Sequence, residues 1–194
     1  MSQPESSIDV ASIEKTLRLD LACGRTPREG FEGVDKFAPE AQHRVDLRRF
    51  PWPWADNSVD EIHCAHFIEH LPMVEVEHGG REKDLLEAFF DECYRVLKPN
   101  GRMTVIWPAL HSDRAFQDPT HRRFLPETIL WYLSADWRKS NRLDHCHGDC
   151  NFAFNVVPST TIEESLRHPS VQAERLRERW NVAQDFHATL VALK

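Results

Sequence analysis

Three short apolar segments of this chain each lead into an aspartate at a point where the backbone turns. Residues 16–21 alternate, with Leu17, Leu19 and Leu21 on one parity, and pass through Asp20 into Ala22-Cys23-Gly24. Residues 31–35 end on Asp35, and a third segment, 43–46, ends on Asp46. Alternation of period two closed by turn-forming residues predicts strands. Asp20, Asp35 and Asp46 therefore stand at or near the C-terminal ends of three strands, the rim where open parallel sheets bind their ligands. One aspartate in such a place is most often a solvated strand end; three in order point to a site.

The remaining elements follow from spacing. Pro51 and Pro53 mark a loop carrying Trp52 and Trp54, and Asp56-Asn57-Ser58 makes a turn before a fourth strand over 59–64. Leu85, Leu86, Phe89, Phe90, Cys93, Val96 and Leu97 recur at helical spacing within 82–97, and Lys98-Pro99-Asn100-Gly101 stops that helix. A fifth strand is predicted over 102–107, a helical stretch over 126–133, a strand over 151–157, a charged surface helix over 169–180 and a last strand over 186–193. Alternating strands and helices predict an α/β fold with a mostly parallel sheet. Seven strands are expected, with helices on both faces and an antiparallel C-terminal strand. Residues 1–15 read as a polar N-terminal tail and 16–194 as a single domain.

Composition narrows the partners. A chain of 194 residues, 41% of them apolar, can bury a core without staples. Lys and Arg total 24 against 31 for Asp and Glu, a net charge of −7 that makes nucleic acid an unlikely partner, since binding it needs a basic face. Five cysteines, Cys23, Cys64, Cys93, Cys146 and Cys150, are an odd count and predict reduced thiols in a cytoplasmic setting. The N-terminus lacks the apolar segment of a signal peptide, and no apolar run suits a membrane span.

A carboxylate at the position of Asp35 can accept hydrogen bonds from the vicinal hydroxyls of a ribose, and Asp46-Leu47 lies where an adenine would be edged. A dinucleotide site needs G-x-G-x-x-G and a helix N-terminus for the pyrophosphate. Here Gly24 is nearly alone, and Pro27 and Gly30 leave room for hardly one helical turn before the next strand. That disfavours a nicotinamide-dependent oxidoreductase. A phosphate-free nucleoside carrying a sulfonium, S-adenosylmethionine, fits better.

At these residues the sequence resembles the class I S-adenosylmethionine-dependent methyltransferases, of the methyltransferase type 11 group. The resemblance rests on Leu19-Asp20-Leu21-Ala22-Cys23-Gly24, Gly33-Val34-Asp35, Asp46-Leu47, the segment 50–62, His66-Phe67-Ile68-Glu69-His70-Leu71 and Arg95-Val96-Leu97-Lys98-Pro99-Asn100-Gly101, in family order across about residues 17–107. Ala22 and Thr26 stand where the family commonly has glycines. The resemblance implies a Rossmann-like fold with a cofactor half, 16–107, and an acceptor-side half, 108–194. It implies that Asp20 and the backbone of Ala22, Cys23 and Gly24 surround the methionine part of the cofactor and that Asp35, with Lys36 after it, holds the ribose. Asp46 and Leu47 would flank the adenine, and Cys64, Ala65 and His66 would approach the amino group and sulfur.

Methyl transfer is an in-line displacement in which the protein mainly aligns the partners, and a base helps where the acceptor must lose a proton. Histidine suits that work near neutral pH. His66, just after the fourth strand, His70 one helical turn on with Glu69 beside it, and His111 and His121, after the fifth, are the candidates. Arg114, Arg122 and Arg123 suggest that a small-molecule or glycan-type acceptor is anionic. Two further readings stay open: a catalytically silent cofactor-binding scaffold and a nucleic-acid methyltransferase. His145, Cys146, His147 and Cys150 resemble metal ligands in type, but adjacent residues do not readily converge on one ion, and no metal is expected.

Overall fold

In a computed structural model, residues 16–76, 82–143, 145, 146 and 148–194 are described. The tail expected over 1–15 and His147 lie outside them. Eight strands form: β1 Arg18–Leu21, β2 Glu32–Val34, β3 Val59–Ala65, β4 Glu75–Val76, β5 Glu82–Lys83, β6 Leu97–Pro108, β7 Phe152–Thr160 and β8 Ala183–Ala192. The main sheet has six of them, in the order β2-β1-β3-β6-β8-β7, and β4 pairs with β5 separately. The pairs β1–β2, β1–β3 and β3–β6 are parallel, while β8 runs antiparallel to both β6 and β7. The reversed C-terminal strand is thus present as expected, set between two neighbours.

The sheet has six strands where seven were expected, and the difference lies at residues 43–46. This segment touches β2 through a single parallel bridge, Val34 to His43. Asp35 N–H donates to the His43 carbonyl at 3.1 Å and His43 N–H to the Gly33 carbonyl at 3.0 Å. The Gln42 side chain takes the Gly33 N–H at 2.6 Å, and the chain then turns where Arg49 N–H donates to the Asp46 carbonyl at 2.9 Å. Side-chain capping and an immediate turn leave no run of backbone groups to extend a ladder.

Helices α1 Leu85–Val96, α2 Asp113–Gln117, α3 Ala135–Ser140, α4 Ile162–Ser165 and α5 Pro169–Glu178 flank the sheet, with short 3₁₀ segments at Ile68–His70 and Glu127–Leu133. Asp84 caps α1 by accepting from Leu86 and Glu87 N–H, which would otherwise lack partners. The apolar stripe of α1, Leu85, Leu86, Phe89, Phe90, Cys93 and Val96, is buried in one cluster with Leu19, Leu21, Ile62, Cys64, Met103 and Val105. Asn100 takes the left-handed conformation after the helix (φ 62°). Gly101 is needed for close approach, since a Cβ there would lie 2.8 Å from the Lys98 carbonyl oxygen.

The opposite parity of the central strands is polar. Arg18, Glu61, His63, Thr104, His187 and Thr189 are half-buried or exposed, and Arg18 pairs with Glu61 at 3.3 Å across β1 and β3. The crossover from β1 to β2, residues 22–31, is turn and loop without a helix. Gly33 permits it, because a Cβ there would meet Cys23 Sγ at 2.8 Å and Pro27 at 2.9 Å. The crossover can therefore lie flat on β2, and the rim above β1 stays open.

Candidate functional site

The backbone at the end of β1 is shaped before any side chain acts. Ala22 (φ 55°) and Gly24 (φ 57°) are both left-handed. For alanine that conformation costs roughly 1–2 kcal/mol. His66, just past β3, is also left-handed (φ 52°), and its N–H donates to the Ile106 carbonyl at 2.9 Å. Leu21 pairs with Cys64 in the sheet, so the two strained residues close neighbouring strand ends. Strain held by surrounding structure clusters at functional rims.

The carboxylates brace this rim. Asp20 is 5% exposed; one oxygen meets His63 Nδ1 at 2.7 Å and the other accepts Arg28 N–H at 2.8 Å. It ties β1 to β3 and to the crossover. Asp35 Oδ1 accepts Phe37 N–H at 2.7 Å and Ala38 N–H at 2.9 Å, and its Oδ2 accepts Gly24 N–H at 3.2 Å. Burial works against its charge, but these three backbone donors win and hold the Asp35 carboxyl below its usual range. Asp46 sits against Lys36 at 2.6 Å and Arg48 at 3.2 Å, and against the pull of burial these cations hold it far below the carboxylate range.

Between these groups lies a cavity of about 260 Å³ whose lining includes Ala22, Asp35, Lys36, Asp46, Leu47, Phe67 and His70. Five of the residues expected at a cofactor, Ala22, Lys36, Asp35, Asp46 and Leu47, are thus brought together. Cys23, Gly24 and His66 stand at the adjoining turns and Ala65 at the end of β3, rather than in the lining. The Cys64 side chain is fully buried in the core, where desolvation pushes its thiol far above the usual range. His70, a candidate base by its spacing from His66, belongs to the lining, as does Phe67, which spacing did not single out.

Beyond the cavity a second group gathers on Glu69, which is 2% exposed. Its backbone carbonyl accepts Arg122 N–H at 2.8 Å and Arg123 N–H at 3.0 Å, fixing the 118–123 loop against the 3₁₀ turn. His66 Nδ1 lies 3.3 Å from Glu69 Oε1, and this carboxylate raises the His66 pKa against the effect of burial. The His70 and His121 rings meet edge to face, 4.8 Å between centroids. His121 Nδ1 is 2.8 Å from the Ala115 carbonyl, which can only accept, so Nδ1 carries a proton and Nε2, 3.9 Å from Asp118 Oδ2, is the acceptor atom of the neutral ring. His66 thus contacts the Glu69 carboxylate, and the Glu69 carbonyl holds the loop that carries His121. His111 instead lines another cavity, of about 380 Å³, with Pro126 and Phe186, and its ring lies 5.9 Å from Trp180.

The arginines are largely committed. Arg123 is 8% exposed, donates to the carbonyls of Leu71, Pro72 and Met73, and pairs with Asp84 at 3.1 Å. Arg114 pairs with Asp185 at 3.1 Å, and Arg122 donates to the Pro119 carbonyl at 3.1 Å. Cys150 is buried, its thiol pushed up to about 12 by desolvation and by Asp91.

Residues 31–105 match the methyltransferase domain family. The fold is similar to that of a SAM-dependent methyltransferase from Archaeoglobus fulgidus, with a TM-score of 0.57 and 20% identity, over 92% of this chain and 87% of that one. It is also similar to an S-adenosylmethionine-dependent methyltransferase from Mesorhizobium loti, with a TM-score of 0.51 and 15% identity over 90% of each chain. The chain has a class I S-adenosylmethionine-dependent methyltransferase fold. No curated protein matches the sequence. Family match and fold together support a general methyltransferase activity with S-adenosylmethionine as cofactor. The donor set at the rim of this methyltransferase fold fits that cofactor: Leu47 and Phe67 offer apolar walls, and Asp35 Oδ2 has acceptor capacity left for a hydroxyl. Among the described residues no helix is long and apolar enough to cross a membrane.

Proposed function

We propose that this protein transfers a methyl group from S-adenosylmethionine to an oxygen-bearing small-molecule or glycan-type acceptor that enters beside Glu69. The observation that supports this reading is the adjacency of two features: the cavity at the ends of β1 and β2, and the His66–Glu69–His121 group at its edge, with His70 shared between them.

Asp35 would hold the ribose hydroxyls and Asp46 with Leu47 would edge the adenine, while Asp20 keeps the β1 turn in shape through His63 and Arg28. The backbone of Ala22, Cys23 and Gly24, with Lys36 and His66 at the neighbouring turns and Ala65 at the end of β3, would enclose the remainder. The bound cofactor supplies the methyl carbon and its leaving group. The chain's own work is alignment and exclusion of water, which can be worth about 7–11 kcal/mol. His121, with Nδ1–H fixed on Ala115, presents Nε2 as a proton acceptor for a hydroxyl. His66 is the second candidate, beside the Glu69 carboxylate. His111 would serve an acceptor long enough to reach the second cavity. The five free cysteines suit a reducing, cytoplasmic setting.

Methyl-transfer assays with tritiated cofactor against panels of phenolic, carboxylic and saccharide acceptors test this. Labelled product from at least one class, reduced about 100-fold or more in His121→Ala with cofactor binding kept, is the expected result. Cofactor binding with no labelled product from any class would favour a silent binding protein.

A further inference from the structure

Among the described residues one group of three metal-donor side chains converges: Glu69, His70 and His121, one donor atom from each lying within 4.8 Å of the others. We propose that these three residues form a binding site for one divalent transition-metal ion of the zinc class, at the edge of the cofactor cavity.

Two observations point to a ligand there. Among the described residues neither oxygen of the buried Glu69 carboxylate accepts a hydrogen bond from a protein group. Among the described residues its ion-pair contact is with His66, whose Nδ1 lies 3.3 Å away, outside hydrogen-bond geometry. An ionised carboxylate taken out of water without donors is costly, and a cation removes that cost. The second observation is that both imidazoles are already oriented. His121 Nδ1–H is held by the Ala115 carbonyl at 2.8 Å. His70 Nδ1 lies 3.1 Å from Thr120 Oγ1, and Thr120 gives its only hydroxyl proton to Asp118 Oδ1 at 2.7 Å. Thr120 must then accept from His70, so Nδ1 is protonated there too. In the neutral imidazole each ring then offers Nε2 as the metal donor, as metal-binding histidines do when their other nitrogen is anchored, and Asp118 Oδ2 lies 3.9 Å from that atom of His121.

Spacing and rigidity agree. Ligand atoms about 2.0–2.2 Å from one tetrahedral zinc ion lie about 3.4 Å apart, so side-chain rotations that draw the donors together by up to about 1.4 Å close the site. The two halves cannot drift, because the Glu69 carbonyl is held by Arg122 and Arg123 N–H. Two imidazoles and one carboxylate leave coordination positions open, as catalytic rather than structural zinc sites do. A hydroxyl or carboxylate of the acceptor could fill one, and His121 would then act as ligand in place of proton acceptor. Occupancy itself does not rest on the methyl-transfer reading.

Calorimetry and thermal melts of the full chain, first stripped with chelator and then titrated with Zn²⁺, read the site without cofactor or acceptor. One equivalent should bind and raise the melting temperature. Glu69→Gln and His121→Ala should each weaken binding by about 100-fold or more, and Thr120→Val by about 10–100-fold. Glu69→Gln removes the buried charge and keeps the shape, so its metal-free form should melt no lower than the wild type. Co²⁺ substitution should give a d–d spectrum without thiolate charge transfer, which separates this site from any that uses Cys146. Folded wild type that takes up no ion, uptake unchanged in both Glu69→Gln and His121→Ala, or a thiolate band would each overturn the proposal.

Discussion

The Gly24 N–H donates to Asp35 Oδ2 at 3.2 Å, joining the turn after β1 to the end of β2 across the cavity wall. One carboxylate thus sets the backbone of the rim and keeps an acceptor position for a ligand hydroxyl. Its charge is sustained by three backbone donors.

Stability should follow that charge. The folded pKa of Asp35 is depressed, so the stability it contributes is present above its unfolded value, about 3.9, and is lost as pH falls through the folded one. Urea melts of wild type and Asp35→Asn should differ at pH 7, with the variant weaker, and the difference should be smaller at pH 3. An equal difference at both values would show that the carboxylate charge is not what braces the rim.

Ala22 carries left-handed strain that glycine would release. Ala22→Gly should stabilise the fold by up to about 1 kcal/mol, the roughly 1–2 kcal/mol of strain less the entropy cost of glycine. Ala22→Val should destabilise it, since a branched side chain tolerates φ 55° worse. Denaturant titration checks both, and a loss of more than about 1 kcal/mol in Ala22→Gly would contradict the strain.

Trp107 is fully buried, its indole N–H donating to the Leu125 carbonyl at 3.0 Å. Trp107→Phe removes that donor and leaves a buried oxygen unsatisfied. A loss of about 1–3 kcal/mol in unfolding free energy is expected. A neutral result would mean that water reaches Leu125.

Thiol chemistry should be quiet in the native state. Burial, with Asp20 and Asp35 nearby, pushes Cys23 up to about 11, and Cys150 stands near 12. Both should resist iodoacetamide at pH 7.5 and label rapidly in urea, read by mass spectrometry. Fast native labelling at Cys23 would show that the β1 turn opens.

What the sequence disclosed was local. The stripe of α1 and the run from Leu19 to Gly24 are periodic patterns with nearby stops, and both stand where spacing placed them. The expected strand at 43–46 shrank to a bridge because Gln42 and the turn at Asp46 compete for backbone groups, which alternation does not record. Ala22 and Asp35 were legible because the ends of β1 and β2 can be located, and Asp46 and Leu47 because they follow the short segment that bridges to β2. The meeting of Glu69 and His70 with His121 was not, since a loop returning across some fifty residues leaves no period. For the same reason His111 and His121 looked alike in sequence, although one faces Trp180 and the other His70.

Calorimetric titration of S-adenosylhomocysteine into the wild-type chain and Asp35→Ala tests the central claim most directly. The account predicts one site on the wild type and an affinity weaker by about 1–3 kcal/mol, roughly 5–150-fold, in the variant. No binding heat on folded wild-type protein, or equal affinity in the two, would contradict it.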